Sequence, residues 1–327
     1  MLLRILALSA VVVAAVSQAG AETVTLRFGK IPSSAHGMTS LAIFIAERQG
    51  FFARENIALD IKQIPGGTGN MVAALDRGDV DVTQTATPYL IEAVLNGSQA
   101  AAIAAEVGNP IYSLVAKPQI RTLADLKGKL IGLSLPIDTI SISTRQLLAL
   151  KGLSDSDYRV KELVGSPARA DCLRNGDCDA APLGQPDDLL AVRDGYRRLG
   201  DTTEAVSSFA FDVVAARRDF AESHGPAIVG LVSALADACR FIHDPARRDE
   251  LAKAVVELTG ASDDIARATL ALYLDPDRGV VPRQAEIDLG GIAQVIAFMG
   301  QGGKIKPPLP APDQFVDLQY LRAAGVK

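Results

Sequence analysis

Several short stretches of this chain gather hydroxyl, amide and glycine residues just ahead of a helical run. "IPSSAHGMTS" holds Ser33, Ser34 and His36, "PGGTGN" holds Gly67 and Thr68, and "TQTATPYL" holds Thr85, Thr87 and Tyr89. "PIDTISIS" holds Asp138, Thr139 and Ser141, "GSPARAD" adds Arg169, and "LGQP" adds Gln185. Hydroxyls and backbone N–H groups at a helix start donate hydrogen bonds to a polar or anionic ligand. A guanidinium clamps a carboxylate or sulfonate through two parallel bonds. The same residue types also serve as plain helix caps. Their role therefore depends on whether the fold brings them to one place.

The chemistry these residues suggest is binding, without turnover. The chain has no HExxH, no GxxxxGK[ST], no GxGxxG and no Ser-His-Asp signature, which leaves no catalytic set and no cofactor to expect. "GGTG" at Gly66–Gly69 is glycine-rich without dinucleotide spacing. His36, His224 and His243 show no metal-ligand spacing with the three cysteines, so no metal site is expected. Cys172 and Cys178, six apart, are a candidate disulfide in an oxidising compartment; Cys239 reads as a helix core residue.

These residues need elements to hold them, and the elements come twice. "AALDRGDVDV" (73–82) and "DCLRNGDCDA" (171–180) share Leu75/Leu173, Gly78/Gly176, Asp79/Asp177 and Asp81/Asp179 at one constant offset. Around the first copy, "TVTLRFGKI" alternates as a strand, "TSLAIFIAERQGFF" has helical spacing, "IALDIKQI" alternates, "NMVAALDRG" is a helix stopped by Gly78, and "DVDVTQTA" is a strand. Around the second, "KLIGLSL", "ISTRQLLALKG", "YRVKELV", "ARADCLRNG" and "CDAAPL" repeat that order. The same offset aligns Gly67 with Gly165, Thr68 with Ser166, and Thr87 with Gln185. Two related α/β units follow, each a mostly parallel sheet flanked by helices, with ligands expected at the carboxyl ends of the strands. The repeated aspartates fall at the amino ends and read as structural. From Phe209, "FAFDVVAARRDF" reads as a strand returning to the first unit, with helices near 225–243, 246–260, 263–273 and 284–299.

Composition sets the frame. The chain has 327 residues, 48% hydrophobic and 22% charged, the balance of a folded two-domain protein. A net charge of −5 without a basic run argues against nucleic acid. Arg4, the apolar run Ile5–Val16 and Ala19-Gly20-Ala21 read as a signal peptide cleaved near Ala21, so a periplasmic, monomeric product is expected. There is no Trp, and stacking platforms are few: Phe44, Tyr89, Tyr112, Phe209 and Phe211.

"AERQGFFARENIALDI", "GGTGNMVAALDRGDVDV", "LADLKGKLIGLS", "LLALKGLSDSDYRV" and "CLRNGDCDA", in that order over about residues 24–220, resemble the nitrate/sulfonate/taurine group of ABC-transporter solute-binding proteins. They are also similar to a thiamine-precursor branch of that superfamily. The resemblance implies a two-lobed, type II-like periplasmic binding fold with two crossover connections, near 110–116 and 207–213. The expected division is 1–21 signal peptide, 22–112 plus 210–327 lobe I, and 113–209 lobe II. It further implies capture of a small organic anion, a sulfonate or carboxylate, by hinge closure, with transfer to an ABC permease at the inner membrane. A pyrimidine thiamine precursor, a same-fold enzyme and a ligand-sensing protein are the alternative readings.

Overall fold

The computed structural model describes residues 22–206 and 208–326; the expected signal peptide lies outside them. Its strands are β1 (Val24–Lys30), β2 (Ile57–Gln63), β3 (Val82–Ala86), β4 (Ala100–Val107), β5 (Ser113–Ala116), β6 (Leu130–Leu133), β7 (Arg159–Glu162), β8 (Ala180–Leu183), β9 (Arg197–Asp201) and β10 (Asp212–Arg217). They form two sheets of like order, β2-β1-β3-β10-β4 and β7-β6-β8-β5-β9. β1 pairs parallel with β2 and β3, and β6 with β7 and β8; β10 and β5 run against both their neighbours. Each opposing strand has crossed from the other lobe. Residues 108–112 carry the chain from β4 to β5, and residues 202–211 carry it back from β9 to β10.

The duplicated turn has the same role in both lobes. Helices Gly69–Asp76 and Ser166–Arg174 run into Gly78 (φ 73) and Gly176 (φ 79), both in the left-handed region where glycine has no Cβ penalty. Asp81 then accepts from the Arg27 backbone N–H at 2.8 Å, and the Arg27 guanidinium binds both Asp81 and the Gly78 carbonyl. Asp179 accepts from Leu130 N–H and from Lys117 Nζ, which also donates to the Gly176 carbonyl. Each aspartate thus ties a turn to a neighbouring strand at the amino edge of the sheet. The strands begin later than the alternation suggests, at Val82 and Ala180.

The largest apolar cluster lies in the first lobe, where helix Gly225–His243 packs on helix Leu41–Arg48. That 19-residue helix is apolar and long enough to cross a membrane by length and composition alone, yet it is a core helix with Ile228, Leu231, Leu235 and Ile242 fully buried. The last long helix runs Leu289–Gln301, later than expected. Asp288 caps it by accepting from Gly290 N–H, and Ala285 ahead of it sits at φ 60.

The expected bridge between Cys172 and Cys178 is not formed. Both are buried free thiols in a cluster with Leu173, Leu183 and Val115, joined through the backbone by Cys178 N–H to the Cys172 carbonyl at 3.2 Å. Burial pushes the Cys178 thiol above its ordinary range, so the pair packs as small apolar side chains.

Candidate functional site

A cleft of about 410 Å³ opens between the lobes. Its walls are built from the segments that follow β1, β6, β7 and β8, from the end of β3, and from the start of β10, whose reversed direction puts its amino end at the same edge. In both sheets the cleft therefore lies at the carboxyl ends of the parallel strands, where helix starts converge.

Seven of the expected residues line it: Ser33, Ser34, His36, Thr68, Asp138, Arg169 and Gln185. Ser34 Oγ donates to the Ile31 carbonyl at 2.9 Å, holding the turn after β1, and Ser33 and His36 are exposed at its rim. Asp138 caps helix Thr139–Leu150, accepting from Ile140 N–H at 2.9 Å and Ser134 Oγ at 3.0 Å. Burial raises its carboxyl above the usual range.

The rest fall elsewhere. β3 presents Gln84 and Ala86 to the cleft, so Thr85, one residue out of phase, turns away and reaches only the Thr68 carbonyl, at 3.5 Å. Thr87 opens the following helix and donates to the Phe211 carbonyl. A strand's side chains alternate between faces, so an error of one residue exchanges the whole set. Tyr89 packs beside Ala86 and Ile137, and Thr139 and Ser141 are fully buried in the first turn of their helix. Gly67 (φ 91) is a point of lobe contact: a Cβ there would lie 3.3 Å from Val164 of the other lobe.

Arg169 lines the cleft, but its guanidinium is fully buried and already bonded. Nε donates to the Pro182 carbonyl at 2.8 Å, one Nη to the Leu163 carbonyl at 3.3 Å, and the other to Ser166 Oγ at 3.1 Å. It braces the loops of the second lobe more than it reaches outward.

Sequence reasoning missed Gln84, Asp187, Asp212 and Tyr273, although a lone Asp in the apolar run "FAFDVV" was a usable signal for Asp212. Of the candidate stacking platforms, Tyr112 and Phe211 line the cleft edge-to-face, with centroids 5.8 Å apart. Phe209 belongs to the apolar cluster on the other side of the first sheet. Asp212 lies at the cleft floor beside two more buried ionisable groups, Lys30 and Glu106. Lys30 Nζ donates to Ser40 Oγ, while both Glu106 oxygens are without a hydrogen-bond partner among the described residues. The register of β10 on β4 slips at Glu106, leaving it the extra residue of a β-bulge between Ala105 and Val107. Burial pushes Glu106 up to about 7, opposed by Lys30. It raises Asp212 well above the carboxylate range, with Glu106 and Asp138 adding to the effect, and lowers Lys30.

Two α/β lobes, two crossovers and a cleft at their carboxyl edges make this a periplasmic binding protein fold. Residues 38–247 match the model of the NMT1/THI5-like family, and the chain belongs to that family. The ligand-binding component of an ABC-type import system from Staphylococcus aureus superposes with a TM-score of 0.76 at 14% identity, over 92% of this chain and 98% of that one. The alkanesulfonate-binding protein SsuA from Xanthomonas axonopodis pv. citri gives 0.70 at 19%, over 90% and 98%. A desulfurization enzyme, DSZB, shares the fold at 0.63 and 17%, over 92% and 98%. A putative thiamine biosynthesis protein of Haemophilus influenzae is 31% identical over 96 residues, which are 28% of this chain and 30% of the relative's length.

Proposed function

We propose that this protein is the solute-capturing component of an ABC importer, exported to the periplasm, closing two lobes on a small molecule and presenting it to a membrane permease. The observation that carries this reading is the cleft itself. A volume of about 410 Å³ suits a small organic solute, and it is lined from both lobes, so a ligand bonded to both stabilises the closed form. Residues 22–112 with 210–327 are taken as the first lobe and 113–209 as the second. Similarity to the import-system proteins supports capture without turnover.

For the expected organic anion the lining offers hydroxyls at Ser33 and Ser34 but one guanidinium, Arg169, whose bonds are spent within its own lobe. The pyrimidine reading has the thiamine-biosynthesis relative in its favour. A thermal-shift screen against alkyl and aryl sulfonates, carboxylates, nitrate and pyrimidines tests the proposal. A ligand at 1,000 times its dissociation constant adds about 4 kcal/mol, a shift of several degrees. One class should give that shift and be recovered chemically unchanged. Conversion of the bound compound would instead point to a same-fold enzyme.

A further inference from the structure

The charged groups of the cleft divide into those already engaged and those left for a ligand. Arg169 is engaged by three acceptors, and Asp138 by Ile140 N–H and Ser134 Oγ. Asp212 lines the cleft and is 6% exposed, and its carboxyl group makes no hydrogen bond or ion pair among the described residues. Gln185 supplies a second acceptor, and its orientation follows from chemistry. The fully buried Asp188 carboxylate is ion-paired with the Arg198 guanidinium at 2.8 Å and so accepts; Gln185 Nε2 donates to it at 3.0 Å, and the single Ser113 hydroxyl proton is shared between Asp188 at 2.7 Å and Asp201 at 2.8 Å. The amide nitrogen is therefore fixed, and Gln185 Oε1 is left without a partner among the described residues, in a residue that lines the cleft. Tyr112 and Phe211 set aromatic rings in the same lining; the Arg169 guanidinium already lies over the Tyr112 ring, 5.7 Å from its centroid, and the Phe211 ring is of a kind that attracts cations.

We propose that the cleft takes its ligand by a cationic nitrogen, an ammonium or amidinium, received by Asp212 of the first lobe and Gln185 Oε1 of the second. This names the ligand class of the binding-protein reading and rests on it. The titratable groups that face Asp212 are Glu106 on β4 and Asp138 from the second lobe, which add to its raised carboxyl, and Lys30 on β1, which opposes them; the Tyr273 and Tyr112 hydroxyl groups are neutral. Burial holds the Asp212 carboxyl well above its ordinary range, so an arriving cation that favours the charged carboxylate displaces a proton from it. Cation affinity should then rise with pH and binding should release protons; an anion would show the opposite sign.

The test is calorimetric titration of the purified protein with benzamidine, benzylamine and agmatine, and with benzoate and benzenesulfonate, at about pH 6 and pH 8 in buffers of different ionisation enthalpy. At least one cation should bind, about fivefold or more tighter at the higher pH, with proton release. Asp212→Asn should weaken it about tenfold or more, and Gln185→Met about fivefold. Gln185→Met carries the test if Asp212→Asn does not fold. Failure of all three cations to bind at about 10 mM, affinity falling as pH rises, or indifference to the variants overturns the inference. Binding of the anions alone overturns it while leaving the binding-protein reading intact; chemical conversion of a bound compound would remove that reading instead.

Discussion

Glu106 is the residue whose titration should be visible in the stability of the whole chain. Its folded pKa is raised by burial from an ordinary 4.5 to about 7. A raised carboxyl contributes stability that is fully present below its unfolded value and lost as pH rises through the folded one. Between about pH 4.5 and 7 the protein should therefore lose stability with rising pH, by an amount on the order of 2–3 kcal/mol if Glu106 acted alone. Glu106→Gln should flatten that slope and raise the melting temperature above pH 7, measured by thermal denaturation across the range. An unchanged slope would assign the dependence to another group. Nothing in "AAAIAAEVGNP" announces this residue, because the bulge that re-aims it exists only once β10 is docked on β4.

At the scale of elements, the loops that carry the repeated glycines also bring the lobes together. Gly165 stands at φ 87, and a Cβ there would come within 2.9 Å of Ser33 Cβ across the cleft; Gly67, its partner in the repeat, faces Val164. Gly165→Ala should cost about 1–2 kcal/mol through its left-handed backbone and also weaken ligand affinity by holding the lobes apart. Adding Ser33→Gly should recover affinity without recovering stability, which separates the two effects. If the double variant binds no better than the single, the contact with Ser33 is not what limits closure. The pairing of Gly67 with Gly165 was legible as a repeat; that both would face the opposite lobe was not.

Across the whole molecule, the C-terminal third joins the two lobes. Gly279 and Val280 are hydrogen-bonded through the backbone to Asn109 and Gly108 of the first crossover, and Asn109 Nδ2 donates to the Arg278 carbonyl. The Arg278 guanidinium then reaches Asp201 at the end of β9 at 3.0 Å. Asp201 also lies 2.8 Å from Ser113 Oγ at the start of β5, so this tie meets the end of the first crossover and the start of the second. Arg278→Ala should lower stability by about 1–2 kcal/mol and shift the unliganded protein toward open forms, seen as a larger radius of gyration in solution scattering. An unchanged radius would mean the pair stabilises without governing the hinge. Residues Thr259–Ala261 and Tyr273, from helices following β10, also wall the cleft, so the returning chain contributes to the site as well as to the core.

What the sequence determined by itself was the repeated architecture. Periodicity, glycine stops and constant spacing are local signals, and they carry the order of strands and helices and the carboxyl edge at which the cleft lies. Ser33, Ser34, His36, Thr68, Asp138, Arg169 and Gln185, read from those signals, fall in segments that line the cleft. Only the tertiary structure decided which face of β3 points inward, that Arg169 is spent on its own lobe, and that Asp212 and Gln185 Oε1 remain unengaged. Those outcomes depend on strand register and on partners distant in the chain, such as Phe211 for Thr87 and Pro182 for Arg169. A one-residue phase and a long-range hydrogen bond leave no periodic trace in the sequence, because both are set by how separately formed elements dock.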